Sequence, residues 1–215
     1  MKTIVVKDLN EASSKCFNFI DEELNKTSDK LNIALTGGRF GKFFVSQFSK
    51  KDAPFNKCRF FQTDERLVLF EDKECIQRML LQELSLLANL ETCFFDLNKS
   101  AILCGKNMSE NIQKLDIDRL DIAIMSLGED GHLAGNFYNS TKINKKISYT
   151  DDSPKPPKKR ISFSVEWLAQ SKLVIIVAIG IEKIEAIKKL SSGKGLFSNL
   201  LAQSGNIFLI TDQQL

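Results

Sequence analysis

Leu120-Asp121-Ile122-Ala123-Ile124-Met125-Ser126-Leu127 runs directly into Gly128-Glu129-Asp130-Gly131-His132 (LDIAIMSLGEDGH, residues 120–132). An apolar run of this length, ended by a glycine turn, reads as a strand buried on both faces, the habit of parallel sheets covered by helices. It stops at two glycines, two carboxylates and the only histidine of the chain. In open α/β sheets ligands bind beyond the carboxyl ends of the strands, and histidine is the side chain that ordinarily titrates near neutrality. The turn is therefore the first candidate for chemistry. The alternative is a polar turn that caps a strand, with His132 a surface or packed side chain.

On either side of this stretch the same rhythm repeats. Short β-branched runs at Thr3–Val6, Asn32–Thr36, Arg59–Gln62, Lys172–Ile179 and Asn206–Thr211 alternate with segments of helical period, and Ile161–Val165 is also strand-like. The spacing predicts helices over Asn10–Asn25, with Asn10 as N-cap, over Phe40–Phe48, over Lys73–Leu87 with Ile76, Met79, Leu80, Leu84 and Leu87 on one stripe, over Glu182–Leu190 and over Leu196–Gln203. Alternating strands and helices imply an α/β fold with a mostly parallel central sheet flanked by helices. No repeat or linker divides the chain, so residues 1–215 are expected to form a single domain.

Composition narrows the function classes. The chain has 215 residues, 43% hydrophobic and 27% charged, with a net charge of +3, too small a surplus to argue for a nucleic-acid surface. Only three apolar residues precede the first return of charge at the N-terminus, and no run approaches the length of a membrane span, so an unexported, cytoplasmic protein with no membrane partner is expected. Cys16, Cys58, Cys75, Cys93 and Cys104 are odd in number and widely spaced, which indicates neither a disulfide framework nor a zinc site. One histidine argues against a metal centre built mainly from imidazoles.

The predicted strands share one property: unusual residues follow their carboxyl ends. Thr36-Gly37-Gly38, before the Phe40–Phe48 helix, offers backbone N–H groups at a helix N-terminus, an anion-binding arrangement to which Arg39 adds charge. Thr63-Asp64-Glu65-Arg66 reads either as a surface turn with an internal ion pair or as a loop that aims Arg66 at a developing oxyanion. Asp130 can fix the tautomer of His132 and steady its imidazolium, making His132 a general base. No serine or cysteine stands in a nucleophile motif such as G-x-S-x-G, which favours activated water. Pro154-Lys155-Pro156-Pro157-Lys158-Lys159-Arg160 is a basic stretch stiffened by prolines. Lys183 sits at the start of a helix after Gly180, where its charge opposes the helix dipole unless an anion intervenes; pairing with Glu182 or Glu185 is the plainer alternative. In a parallel sheet all these ends lie on one edge and converge on one crevice.

Taken together, TGG at 36–38, TDER at 63–66, LGEDGH at 127–132, SPKPPKKRIS at 153–162 and GIEKIEAIKKL at 180–190 resemble the 6-phosphogluconolactonase family, part of the group that includes glucosamine-6-phosphate deaminases. The pieces occur in the family's order over nearly the whole chain. The resemblance implies a Rossmann-like, NagB/RpiA-type domain. It implies hydrolysis of 6-phospho-D-glucono-1,5-lactone in the oxidative pentose phosphate pathway, with a phosphorylated sugar lactone as partner and no metal or other cofactor. Carried over by position, His132 is the base with Asp130 beside it, Arg66 is the active-site arginine, Arg160 and Lys183 hold the sugar phosphate, and Gly37 and Gly38 form the turn near the substrate.

The chain departs from that pattern at Arg39-Phe40-Gly41, where the family has Ser-Thr-Pro, at Ser126, where it usually has glycine, and at Ala134-Gly135-Asn136-Phe137-Tyr138, where it has Ala-Ser-Leu-Phe-Pro. These changes bear on substrate affinity more than on reaction type. A glucosamine-6-phosphate deaminase is disfavoured because Asp64-Glu65 is followed by Arg66 instead of tyrosine, and because no acid occurs in Leu133–Ser140. A non-catalytic sugar-phosphate binding protein would need no base beside its cations.

Overall fold

Successive residues of a strand point to opposite faces of its sheet, and in strand Ile122–Ser126 both faces are apolar: Ile122 and Ile124 enter one core, Ala123 and Met125 another. The computed structural model describes residues 1–51, 53–87, 90–202 and 205–214. Its elements in chain order are β1 (Lys2–Val5), α1 (Leu9–Leu24), β2 (Leu31–Leu35), α2 (Gly38–Val45), β3 (Cys58–Gln62), β4 (Asp64–Arg66), α3 (Ile76–Leu84), β5 (Glu91–Cys93), α4 (Ala101–Lys114), β6 (Ile122–Ser126), β7 (Thr141–Lys142), β8 (Ile147–Thr150), β9 (Arg160–Phe163), α5 (Val165–Leu168), β10 (Leu173–Ala178), α6 (Ile184–Ser191), α7 (Ser198–Ala202) and β11 (Ile207–Thr211). Seven strands form one sheet in the order β1-β11-β10-β6-β2-β3-β5, every pair parallel.

Helices α1, α2 and α3 cover one face, where Phe17, Phe44 and Leu80 pack with Ile33 and Ile124. On the other face Met108 of α4 and Ile187 of α6 pack with Ala123 and Met125. Phenylalanine fills the first core: Phe17 lies 4.7 Å from Phe44 and 5.0 Å from Phe48, centroid to centroid, within the range in which tilted rings attract. No helix among the described residues is long and apolar enough to cross a membrane.

The α/β class and the parallel sheet match the sequence reading; several boundaries and one substructure do not. Asp8, not Asn10, caps α1, its side chain accepting from Glu11 N at 2.9 Å. The helix expected over Lys73–Leu87 is only Ile76–Leu84. The helix expected over Leu196–Gln203 is Ser198–Ala202, with Gln203 outside the described residues. Helix α4 was not anticipated: Cys104, Met108 and Ile112 make its buried stripe, but Ile102 and Leu103 stand exposed beside it and blur the period. The strand-like Ile161–Val165 is β9, Arg160–Phe163, which ends two residues earlier because Ser164 leaves the strand to cap α5 by accepting from Trp167 N at 3.2 Å.

The unforeseen substructure is a second, antiparallel sheet in the order β4-β9-β8-β7. Thr63 alone separates β3 from β4 and joins the two sheets, its N–H donating to Leu35 O at 2.9 Å and its carbonyl accepting from Phe163 N at 2.9 Å. The segment 63–66, open in sequence between a surface turn and a loop aiming Arg66 at the crevice, is neither: Asp64–Arg66 is a strand with Asp64 and Glu65 both buried.

Candidate active site

From β2 the chain proceeds to β3 and β5 on one side, whereas β6 lies on the other, so the order reverses between β2 and β6. Such a switch point leaves a crevice beyond the strand ends, because the two following connections diverge. Here the crevice is a cavity of about 420 Å³, and Gly37, Gly38, Arg39, Arg66, Asp130, His132, Arg160 and Lys183 all line it. Every residue expected from sequence to serve the site is thus brought to one place.

The His132 turn is built by its glycines. Gly131 takes φ +93°, which an L side chain rarely adopts, and Gly131 N donates to Gly128 O while Gly128 N donates to His132 O. A Cβ on Gly128 would lie 2.1 Å from His132 Nδ1 and 2.7 Å from Asp130 Oδ1, so only glycine leaves room for the ring to fold back. Asp130 Oδ1 stands 2.5 Å from His132 Nδ1 and also accepts from the His132 backbone N–H. The hydrogen bond from His132 holds the Asp130 carboxyl down at about 2. An ionised carboxylate only accepts, so Nδ1 carries the proton and Nε2 is left with a lone pair. Phe137 packs on the ring at 4.6 Å between centroids.

Three cations meet this base from other elements. Arg66 of β4 and Arg160 of β9 are direct cross-strand partners, an arrangement of like charges that is unfavourable by itself. Arg66 Nη1 is held by Glu74 Oε2 at 2.5 Å, but its Nε is buried with no hydrogen-bond partner among the described residues. Arg160 has only 8% of its surface exposed and donates to Ser153 Oγ and to the carbonyls of Lys155 and Pro156 at 3.4–3.5 Å. Burial, and then the neighbouring Arg66 charge, push its guanidinium below the ordinary arginine range. Lys183 donates to Leu127 O at 2.5 Å and is lowered by burial. It pairs with neither neighbouring acid: Glu182 takes Arg39 and Glu185 takes Lys188. Buried cations bonded mainly to neutral carbonyls are stabilised when an anion arrives.

Arg39 lies at the mouth of the crevice, but its guanidinium donates to Ile179 O at 2.6 Å and to Glu182, so it clasps α2 to the end of β10. Glu65 is buried on the opposite side of β4 from Asp64 and Arg66. It accepts from Ile76 N, Gln77 N, Arg66 N and Gln62 Nε2 at 2.6–2.8 Å and so caps α3. Burial pushes its carboxyl up, and these four donors pull it back.

Sequence reasoning passed over Asp64, Thr36, Ser126, Glu129 and Lys155, all of which line the crevice. Asp64 was discoverable: once 64–66 is a strand, period two puts it on the face of Arg66 and Glu65 on the other. Glu129 and Lys155 form an ion pair that bridges the His132 turn and the proline loop, a contact between distant segments that no local pattern announces.

A model of the family described as glucosamine-6-phosphate isomerases/6-phosphogluconolactonase matches residues 7–199. The 6-phosphogluconolactonase of Borreliella burgdorferi is 25% identical over 99% of this chain and 96% of its own. The crystal structure of 6-phosphogluconolactonase from Thermotoga maritima superposes with a TM-score of 0.85, covering 98% of this chain and 99% of that one at 22% identity. A monomeric glucosamine-6-phosphate deaminase also superposes with a TM-score of 0.85, covering 99% and 98% at 15% identity. Equal likeness to enzymes of different chemistry speaks for the fold and leaves the reaction to the side chains. The chain belongs to the glucosamine-6-phosphate isomerase/6-phosphogluconolactonase family.

Proposed function

We propose that this protein is a 6-phosphogluconolactonase, hydrolysing 6-phospho-D-glucono-1,5-lactone to 6-phospho-D-gluconate in the oxidative pentose phosphate pathway with His132 as general base. One observation carries the reading: an imidazole oriented by a carboxylate shares a crevice with five cations, of which Arg160 and Lys183 are bonded to no carboxylate among the described residues. The name shared by curated relatives such as the Borreliella protein supports it.

The sugar phosphate lies with its dianion toward Arg160 and Lys183. His132 Nε2 takes a proton from a water molecule as that water attacks the lactone carbonyl. Arg66 stabilises the tetrahedral oxyanion. Collapse breaks the bond from the carbonyl carbon to the ring oxygen, and the imidazolium returns its proton to that oxygen, giving the open-chain acid. Asp130 keeps Nδ1 protonated throughout.

The test is a coupled assay on freshly generated lactone, with spontaneous hydrolysis subtracted, run beside glucosamine 6-phosphate. Accelerated lactone opening and no release of ammonia are expected. Turnover of the amino sugar with none of the lactone would replace this reading with deamination.

A further inference from the structure

At the switch point two hydroxyls meet between parallel strands. Thr36 follows β2, Ser126 ends β6, and both line the crevice. Ser126 N donates to Thr36 Oγ1 at 3.2 Å, and Thr36 Oγ1 donates to Ser126 Oγ at 3.3 Å. An amide N–H only donates, so Thr36 Oγ1 is fixed as its acceptor. The proton of Thr36 then goes to Ser126, and the proton of Ser126 has no acceptor among the described residues. Reversing the hydroxyl pair frees the Thr36 proton instead. Either way two hydroxyl protons make one internal bond, and one O–H donor is left over beside the cavity. The pair is polarised by the amide behind it, which strengthens the donor at its end. Ser126 stands where the resembling family usually has glycine, so this donor is a property of this chain's own sequence.

We infer that the Thr36–Ser126 pair is a specificity element of the site, a donor directed at a hydroxyl or ring oxygen of the bound sugar. The inference rests on the sugar-phosphate reading above. A hydroxyl pair both donates and accepts, which matches sugar hydroxyls; a phosphate dianion only accepts, and Arg160 and Lys183 already serve it. Ser126 also lies two residues before Gly128, so its oxygen belongs to the strand that delivers the base.

The experiment titrates wild type, Ser126→Ala and Ser126→Gly calorimetrically with 6-phosphogluconate and, separately, with inorganic phosphate, and measures lactone turnover of each. The loss of one neutral hydrogen bond predicts about a 5–10-fold weaker affinity for 6-phosphogluconate and a similar rise in KM. Phosphate affinity should stay within about twofold, since a removed neutral donor leaves the charged contacts intact. Glycine is a second small replacement should alanine disturb the fold. Unchanged 6-phosphogluconate affinity in both variants, or equal losses for both ligands, overturns the inference. Because turnover by wild type is scored separately, a protein that binds 6-phosphogluconate through Ser126 yet opens no lactone sinks the lactonase reading alone. Binding of neither ligand by wild type sinks both.

Discussion

At the scale of single residues, His132 and Asp130 act as one unit whose geometry depends on a missing side chain at Gly128. Removing a general base costs about 10²–10⁴ in rate. His132→Ala is therefore expected to lower kcat by that order while leaving phosphate-end binding in place, measured by turnover and by titration with 6-phosphogluconate; undiminished kcat would take the imidazole out of the mechanism. The pH dependence of stability follows from Asp130. Its carboxyl is lowered from 3.8 to about 2, so its contribution to stability is present above the ordinary value and is lost as pH falls through the lowered one. The denaturation midpoint should therefore drop over that acid window by more in wild type than in Asp130→Asn; equal drops would show that the carboxylate carries no weight. Arg160 and Lys183 differ from the pair in kind. Their charge-assisted contacts exist in ground and transition states alike, so Arg160→Ala and Lys183→Ala should raise KM about 10–100-fold with kcat nearly constant. A selective loss of kcat in either variant would place that cation at the reacting carbonyl instead.

Among the elements, β4 and α3 are joined by Glu65. Its carboxylate satisfies two N–H groups of the first turn of α3 that have no intrahelical partner, and it faces away from the crevice. Glu65→Ala strands these donors in the interior, and a loss of about 3 kcal/mol in chemical denaturation is expected; a loss under 1 kcal/mol would show that the cap carries no weight. The same residue shows what the sequence could disclose. Period-two alternation and glycine-ended apolar runs made the parallel strands readable, because local sterics and burial alone set them. Of the second sheet only β9 was readable, as the strand-like Ile161–Val165; its other strands were not. Three residues such as Asp64-Glu65-Arg66 carry no period, and only pairing with β9, nearly a hundred residues on, makes them a strand. Helix α4 was obscured for the opposite reason, since exposed Ile102 and Leu103 add apolar signal where no packing follows.

Across the whole molecule, the convergence of strand ends was predictable from the rule for parallel sheets, and all eight expected site residues line one crevice. What could not be read was which cations are spent. Arg39 is bonded to Ile179 O and Glu182, whereas Lys183, among the described residues, bonds a carbonyl alone, and that distinction arises from contacts between distant segments. The sheet order carries a further implication. β11 lies between β1 and β10, so the strand that comes last in the order of this sheet along the chain is an interior one. Until residues 207–211 dock, the β10 ladder from Val174 to Ala178 has a bare side and Lys2–Val5 lacks its sheet partner. A chain in that condition exposes an apolar edge that invites wrong pairing, which makes the docking of β11 the step that closes this sheet and the interval before it the period in which a chaperone has most to protect.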